Sequence, residues 1–314
     1  MHSLEAEVRE LRAADGLSEA SAASAIALER RAVLSVSAEL RVALYASVAL
    51  VVTGVGILVK EHLDRIGPLT LILLLALAAL PCYLPAIRAH ARAAARSTGA
   101  EYLLLLGALL VSADLGYAES QFHLLGANWS RQLLLLTALH AYTAYALDSR
   151  LVLSLALATL AGWFGIVRGP GTLALWTFAT PGLGVRALLC ATVMLVWRAI
   201  DQRLNAGRSG EVFEHFAANL AFWGVLGWCW DASWRIVGAI AVLVLAAIAI
   251  HWALRTRAEA FAAYGVGYAA LGLSLVVARL TDLSLLGATL VLVIVLVAAV
   301  VLRRLHDLLK NAPA

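Results

Sequence analysis

Charge is scarce in this 314-residue chain: 14% of its residues are charged while 62% are hydrophobic, and the mean hydropathy is +0.87. A soluble domain is about a quarter charged and half apolar. One water-surrounded core cannot hide this much apolar surface, so most of the surface must meet lipid. Cysteine is equally sparse. Cys82, Cys190 and Cys229 lie far apart with no CxxC or histidine spacing, which argues against a metal or disulfide framework and for small apolar packing residues. The sequence also lacks a phosphate-binding loop, GxSxG, HExxH, a dinucleotide fingerprint and a clustered Ser/His/Asp set. A pump or a conventional hydrolase is therefore disfavoured, and no catalytic residue, metal or cofactor is assigned. Lysine is nearly absent, with Lys60 and Lys310 the only two among 24 basic residues. The net charge of +4 reads as basic loops beside a membrane rather than as nucleic-acid binding.

What is present is a succession of hydrophobic runs, each close to the roughly 20 residues needed to cross a bilayer. They fall near residues 42–59, 66–87, 102–122, 132–147, 151–167, 185–200, 212–230, 236–254, 258–277 and 283–302. Backbone groups in lipid must be satisfied within each span, which demands helices or a closed barrel. A barrel needs alternating strands of about ten residues, and unbroken Leu/Ala/Val runs exclude it. The fold class expected is all-α: a polytopic transmembrane helix bundle of about ten spans. Residues 1–41 differ, carrying Glu5, Glu7, Arg9, Glu10, Arg12 and Asp15 with Leu4, Val8 and Leu11 on one helical face. They read as a cytoplasmic helical preamble, too charged for a span or a signal peptide. Residues 42–302 form the bundle, and 303–314 a short cytoplasmic tail.

Orientation follows from arginine. With the N-terminus inside, the inner segments hold Arg9, Arg12, Arg30, Arg31, Arg41, Arg88, Arg92, Arg96, Arg150, Arg198, Arg203, Arg208, Arg255, Arg257, Arg303, Arg304 and Lys310. The outer ones hold Lys60, Arg65, Arg131, Arg168, Arg186, Arg235 and Arg279. Seventeen against seven satisfies the positive-inside rule and predicts N-in and C-in. Trp129, Trp163, Trp176, Trp228, Trp230 and Trp234 then fall at the outer interface, with Trp197 and Trp252 at the inner one.

An ionisable group inside hydrocarbon costs at least about 2.5 kcal/mol on insertion scales, so each needs a partner or a role. Asp114, about 18 Å along the third helix, and His140, about 13 Å along the fourth, both reach midplane depth. Tyr117 and Gln121 share the face of Asp114; Thr137 and Ala144 share that of His140. A carboxylate facing an imidazole across a hairpin could carry protons, or could be a hydrogen bond that locks two helices; the second is the commoner arrangement. Weaker sites are Glu119 with His123, one turn apart but without a third ligand, and His215 with Asn219 on the seventh helix. On the ninth, Gly265, Gly267, Ala269 and Gly272 permit close approach of a neighbour, with Tyr264, Tyr268 and Glu259 opposite.

Three stretches carry a family resemblance: GLSEASAASAIALERR (Gly16–Arg31), GALLVSADLGYAESQFHL (Gly107–Leu124) and HAYTAYALDSRLVLSLALATLAGWFG (His140–Gly165). Over about residues 1–170 the chain resembles the bacterial membrane-protein family called domain of unknown function 2157. The resemblance implies a multi-pass location in the bacterial inner membrane. It supplies no activity and no site residue, since that family's function is itself unassigned. The leading expectation is a non-catalytic membrane component whose residues 1–41 engage a protein partner. The alternatives are a secondary transporter of a small solute using the Asp114/His140 pair, and an intramembrane enzyme built on Glu119 and His123.

Overall fold

A computed structural model describes residues 37–62, 67–91, 98–123, 129–165, 181–204, 209–282 and 284–311. The preamble up to residue 36 and the loop 166–180, with the expectations placed on them, lie outside the described residues. Among the described residues the chain is all-α, ten helices with no strand. They are α1 Ser37–His62, α2 Pro68–Ala91, α3 Thr98–Phe122, α4 Trp129–Ala146, α5 Arg150–Trp163, α6 Pro181–Leu204, α7 Gly210–Trp230, α8 Arg235–Thr256, α9 Glu259–Leu280 and α10 Leu285–Asn311.

Each helix overlaps one hydrophobic run of the sequence. Six, namely α2, α3, α6, α8, α9 and α10, are long and apolar enough to cross a membrane. The others fall short for reasons visible in their residues. Helix α5 has 14 residues, roughly 21 Å of rise. Helix α4 has 18 and spends several on Arg131, Gln132 and His140, while α7 opens on Glu211, Glu214 and His215. In α1 the apolar stretch is Val42–Gly54. The expected boundaries at 41/42 and 302/303 both fall inside continuous helices, α1 and α10. A helix does not end where hydrocarbon ends: Arg303, Arg304, Leu305 and Leu308 are good helix formers, so the intrahelical ladder runs on into the polar end.

Helix ends follow local chemistry. Pro68 and Pro181 open α2 and α6 at the first position, where no backbone N–H is missed. In the α4–α5 turn Asp148 takes a left-handed backbone (φ 48°), and the Ser149 hydroxyl caps α5 by accepting from Val152 N at 3.4 Å. Arg257 (φ 57°) makes the corresponding tight reversal from α8 into α9.

The helices pack chiefly as sequential antiparallel pairs, α2 on α3, α4 on α5, α6 on α7 and α8 on α9. Helix α10 lies against α9, and α1 against α3 rather than α2, with Tyr45 meeting Tyr102 edge-on. Close crossings rest on glycine. A Cβ at Gly107 would stand 2.9 Å from Cys82 Cβ on α2. One at Gly224 would stand 2.8 Å from Ala187 Cβ and 3.0 Å from Gly184 O on α6. On α9 the contact is with α8 through Gly265 and Gly272, whereas Gly267 faces open space, so the expected stripe is shorter than its spelling.

The first apolar cluster surrounds α5, whose Val152, Leu153, Ala156 and Leu157 are wholly buried or nearly so, and gathers Leu104 and Ala108 from α3, Met194 from α6 and Phe213 from α7. The second joins Phe222, Val225 and Trp228 of α7 to Val242 and Ala246 of α8. Cys190, Cys229 and Cys82 are buried free thiols inside these clusters or the third, α2–α3 one. The outward faces carry Leu69, Ile236, Leu285 and Leu286, each more than 60% exposed. That surface would be an aggregation hazard in water and is ordinary in lipid.

Candidate functional site

The buried polar residues are concentrated on one helix. Gln132, Thr137, His140 and Thr143 are all buried, and their spacing sets them along a single face of α4. His140 is fully enclosed. Its partner is Ser112 of α3: Ser112 Oγ lies 2.7 Å from His140 Nε2 and donates to its own Ala108 carbonyl at 2.9 Å. The other ring nitrogen of His140 is Nδ1. That Nδ1 is buried with no hydrogen-bond partner. On the same helix the Thr137 hydroxyl lies 3.1 Å from that of Thr159 on α5, and the Thr143 hydroxyl bonds its own Leu139 carbonyl at 3.0 Å beside the Tyr83 phenol of α2. A Cβ on Gly116 would approach Gln132 Nε2 at 3.2 Å, which puts that amide against α3. Helix α4 is thereby tied to α3 and α5 by hydrogen bonds.

The expected Asp114–His140 bond is absent. Residue 114 stands about 200° around α3 from residue 112, so when Ser112 and Gly116 face α4, Asp114 does not. It shares its face with Gly107, Leu110 and Tyr117, the residues that meet Cys82, Leu71 and Leu75 of α2. Asp114 Oδ1 is buried there with no hydrogen-bond partner. Depth along the chain brought the two residues to one level, but the direction around the helix separates them. Tyr117 is half-buried against α2 and Gln121 is exposed.

The weaker candidates divide. Glu119 is half-buried; His123 is exposed, ends α3 in a left-handed conformation (φ 49°) and donates its backbone N–H to Glu119 O at 2.9 Å. Among the described residues no three His, Cys, Asp or Glu side chains are grouped so as to hold a metal. His215 and Asn219 do enter a cluster. Tyr268 of α9 donates to Asn219 Oδ1 at 2.7 Å, and the His215 ring stacks on Phe261 at 5.0 Å and 6° with Tyr264 edge-on. Phe222 stacks on Tyr268 at 4.7 Å, extending an aromatic ladder along the α7–α9 contact.

A network that sequence reasoning missed lies where α4 and α6 end and α7 begins. Arg198 pairs with Glu214, which also accepts from Trp252 Nε1 at 3.3 Å. Trp197 Nε1 donates to the Tyr145 hydroxyl at 3.0 Å, and Asp201, 3% exposed, sits beside the same phenol. In the sequence Arg198 stands only as one of the inner basic residues, and Asp201 carries no assignment. The available signal was that Asp201 and Glu214 flank one short connection, so their carboxylates return to the same end of a hairpin.

Comparison with known proteins adds one finding. A family model described as predicted membrane protein (DUF2157) matches residues 9–153, the family that the sequence resembles. No curated protein and no solved structure matches the chain.

Proposed function

With that family match over residues 9–153 as the premise, we propose that this chain is a non-catalytic component of the bacterial inner membrane. It spans the bilayer about ten times with both termini in the cytoplasm, and residues 1–41 present a charged helical surface to a cytoplasmic protein partner. One observation carries the non-catalytic part of the reading. Polar groups of α4 are bonded to its neighbours, His140 to Ser112 of α3 and Thr137 to Thr159 of α5. Such bonds hold spans together in a solvent that offers the hydroxyls no other partner. The arginine asymmetry and the ten helices support the topology. Cysteines introduced singly at Ser130 and Ser209 test it with a membrane-impermeant thiol reagent applied from outside. Ser130→Cys is labelled and Ser209→Cys is protected; the reverse pattern contradicts the topology.

A second reading, a secondary transporter of a small solute, is favoured by Asp114 Oδ1 and His140 Nδ1, both buried near mid-depth without hydrogen-bond partners. Proton- or sodium-dependent solute uptake by vesicles containing the protein, lost in Asp114→Asn, supports that reading over the first.

A further inference from the structure

At the polar end of the α9–α10 pair lies an open groove of about 620 Å³. Its floor is apolar, formed by Ala263, Ala299 and Leu302, while its rim carries Glu259, Arg303 and His306. Glu259 is not a free anion there: its Oε2 lies 3.3 Å from His306 Nδ1. Arg303 stands on the rim next to that pair, and the last three turns of α10 add Arg304 and Lys310 against Asp307 alone. The groove thus joins an apolar trough, continuous with the lipid-facing surface of α10, to an excess of positive charge at one end.

This is the shape and charge of an amphiphile with an anionic head. We propose that the groove binds an anionic glycerophospholipid of the cytoplasmic leaflet, one acyl chain along Ala263, Ala299 and Leu302 and the phosphate at Arg303 and His306. Charge complementarity selects the head group, because basic pockets between spans at the cytoplasmic surface attract anionic lipid. The alanine floor gives the chain room without cost in side-chain ordering. The Glu259 carboxylate holds His306 at the rim. The leaflet rests on the N-in, C-in topology proposed above; the groove and its charges do not.

The test uses the full chain reconstituted into vesicles of phosphatidylcholine mixed with phosphatidylglycerol, released into mild detergent and weighed with its bound lipid by native mass spectrometry. The wild type retains one phosphatidylglycerol in preference to phosphatidylcholine. Arg303→Gln and His306→Gln each weaken that retention, by about fivefold for each full charge removed. Arg150→Gln, which alters the ion pair with Glu211 elsewhere, leaves it unchanged. Ala299→Leu narrows the trough with every charge intact and also reduces retention, so the inference stays open to refutation if a rim variant misfolds. Equal retention of both lipids, displacement of phosphatidylglycerol by inorganic phosphate, or wild-type retention by the Arg303/His306 double variant overturns it. Outside labelling at Ser209 with lipid selectivity intact would reverse the leaflet only; lost selectivity with the topology intact defeats this inference alone.

Discussion

The two halves of the bundle are held by different forces. In α2–α5 the seam is polar: five of the six buried polar or charged residues among those described, Gln132, Thr137, His140, Thr143 and Ser149, belong to α4 or its turn. In α6–α9 the buried side chains are large and apolar, Phe213, Phe222, Val225, Trp228 and Val242, and backbones cross closely at Gly184, Gly224 and Gly265. Their polar contacts are pushed to the end of the bundle, as in Arg198–Glu214, or to the half-buried Asn219–Tyr268 pair. Lipid tails are as apolar as leucine, so apolar burial alone does not bring spans together. One half answers with interhelical hydrogen bonds, the other with shape. The family match, residues 9–153, takes in α2–α4 and the first turn of α5.

That contrast predicts where the molecule breaks. The largest effect belongs to Gly224→Val, which drives branched carbons into Ala187 and the Gly184 carbonyl. It costs roughly 3 kcal/mol, read as a lowered unfolding midpoint in detergent, and an unchanged midpoint removes the shape-based account of α6–α9. Next is Asp114→Leu, with the opposite sign. It removes a half-buried carboxylate whose Oδ1 has no hydrogen-bond partner and stabilises by about 1 to 2.5 kcal/mol; destabilisation instead means that Asp114 has a role in holding α3. Smaller again is His140→Leu, which removes the bond to Ser112 and costs about 1 kcal/mol. A double-mutant cycle with Ser112→Ala assigns the coupling, and additive losses disprove the bond. The smallest is Thr137→Val, about 0.6 kcal/mol in the same assay, since the bond to Thr159 is one of several ties between α4 and α5.

Much of the fold was legible because its signals are one-dimensional. Hydropathy placed the ten helices of the described residues. The candidate site was legible only in depth. Residue count fixed how far Asp114 and His140 lie along their helices, but a two-residue difference decides which neighbour a side chain faces. Ser112, unremarkable among leucines and alanines, proved to be the histidine's partner. The α7–α9 cluster was half readable, since His215 and Asn219 share a face in sequence while their partners Phe261 and Tyr268 come from another helix. The end of α10 was not readable from hydropathy, because Arg303–Asn311 continues the helix on propensity and on the packing of Leu305 and Leu309 against Phe261 and Ala262 of α9.

The central claim is that the midplane polar groups hold helices together and carry no protons. The measurement closest to it is proton flux into vesicles containing the full chain, driven by an imposed pH gradient and compared among wild type, Asp114→Asn and His140→Asn. The account predicts flux equal to empty vesicles in all three, with only His140→Asn lowering the unfolding midpoint. Flux in the wild type that either substitution abolishes at unchanged stability would contradict it.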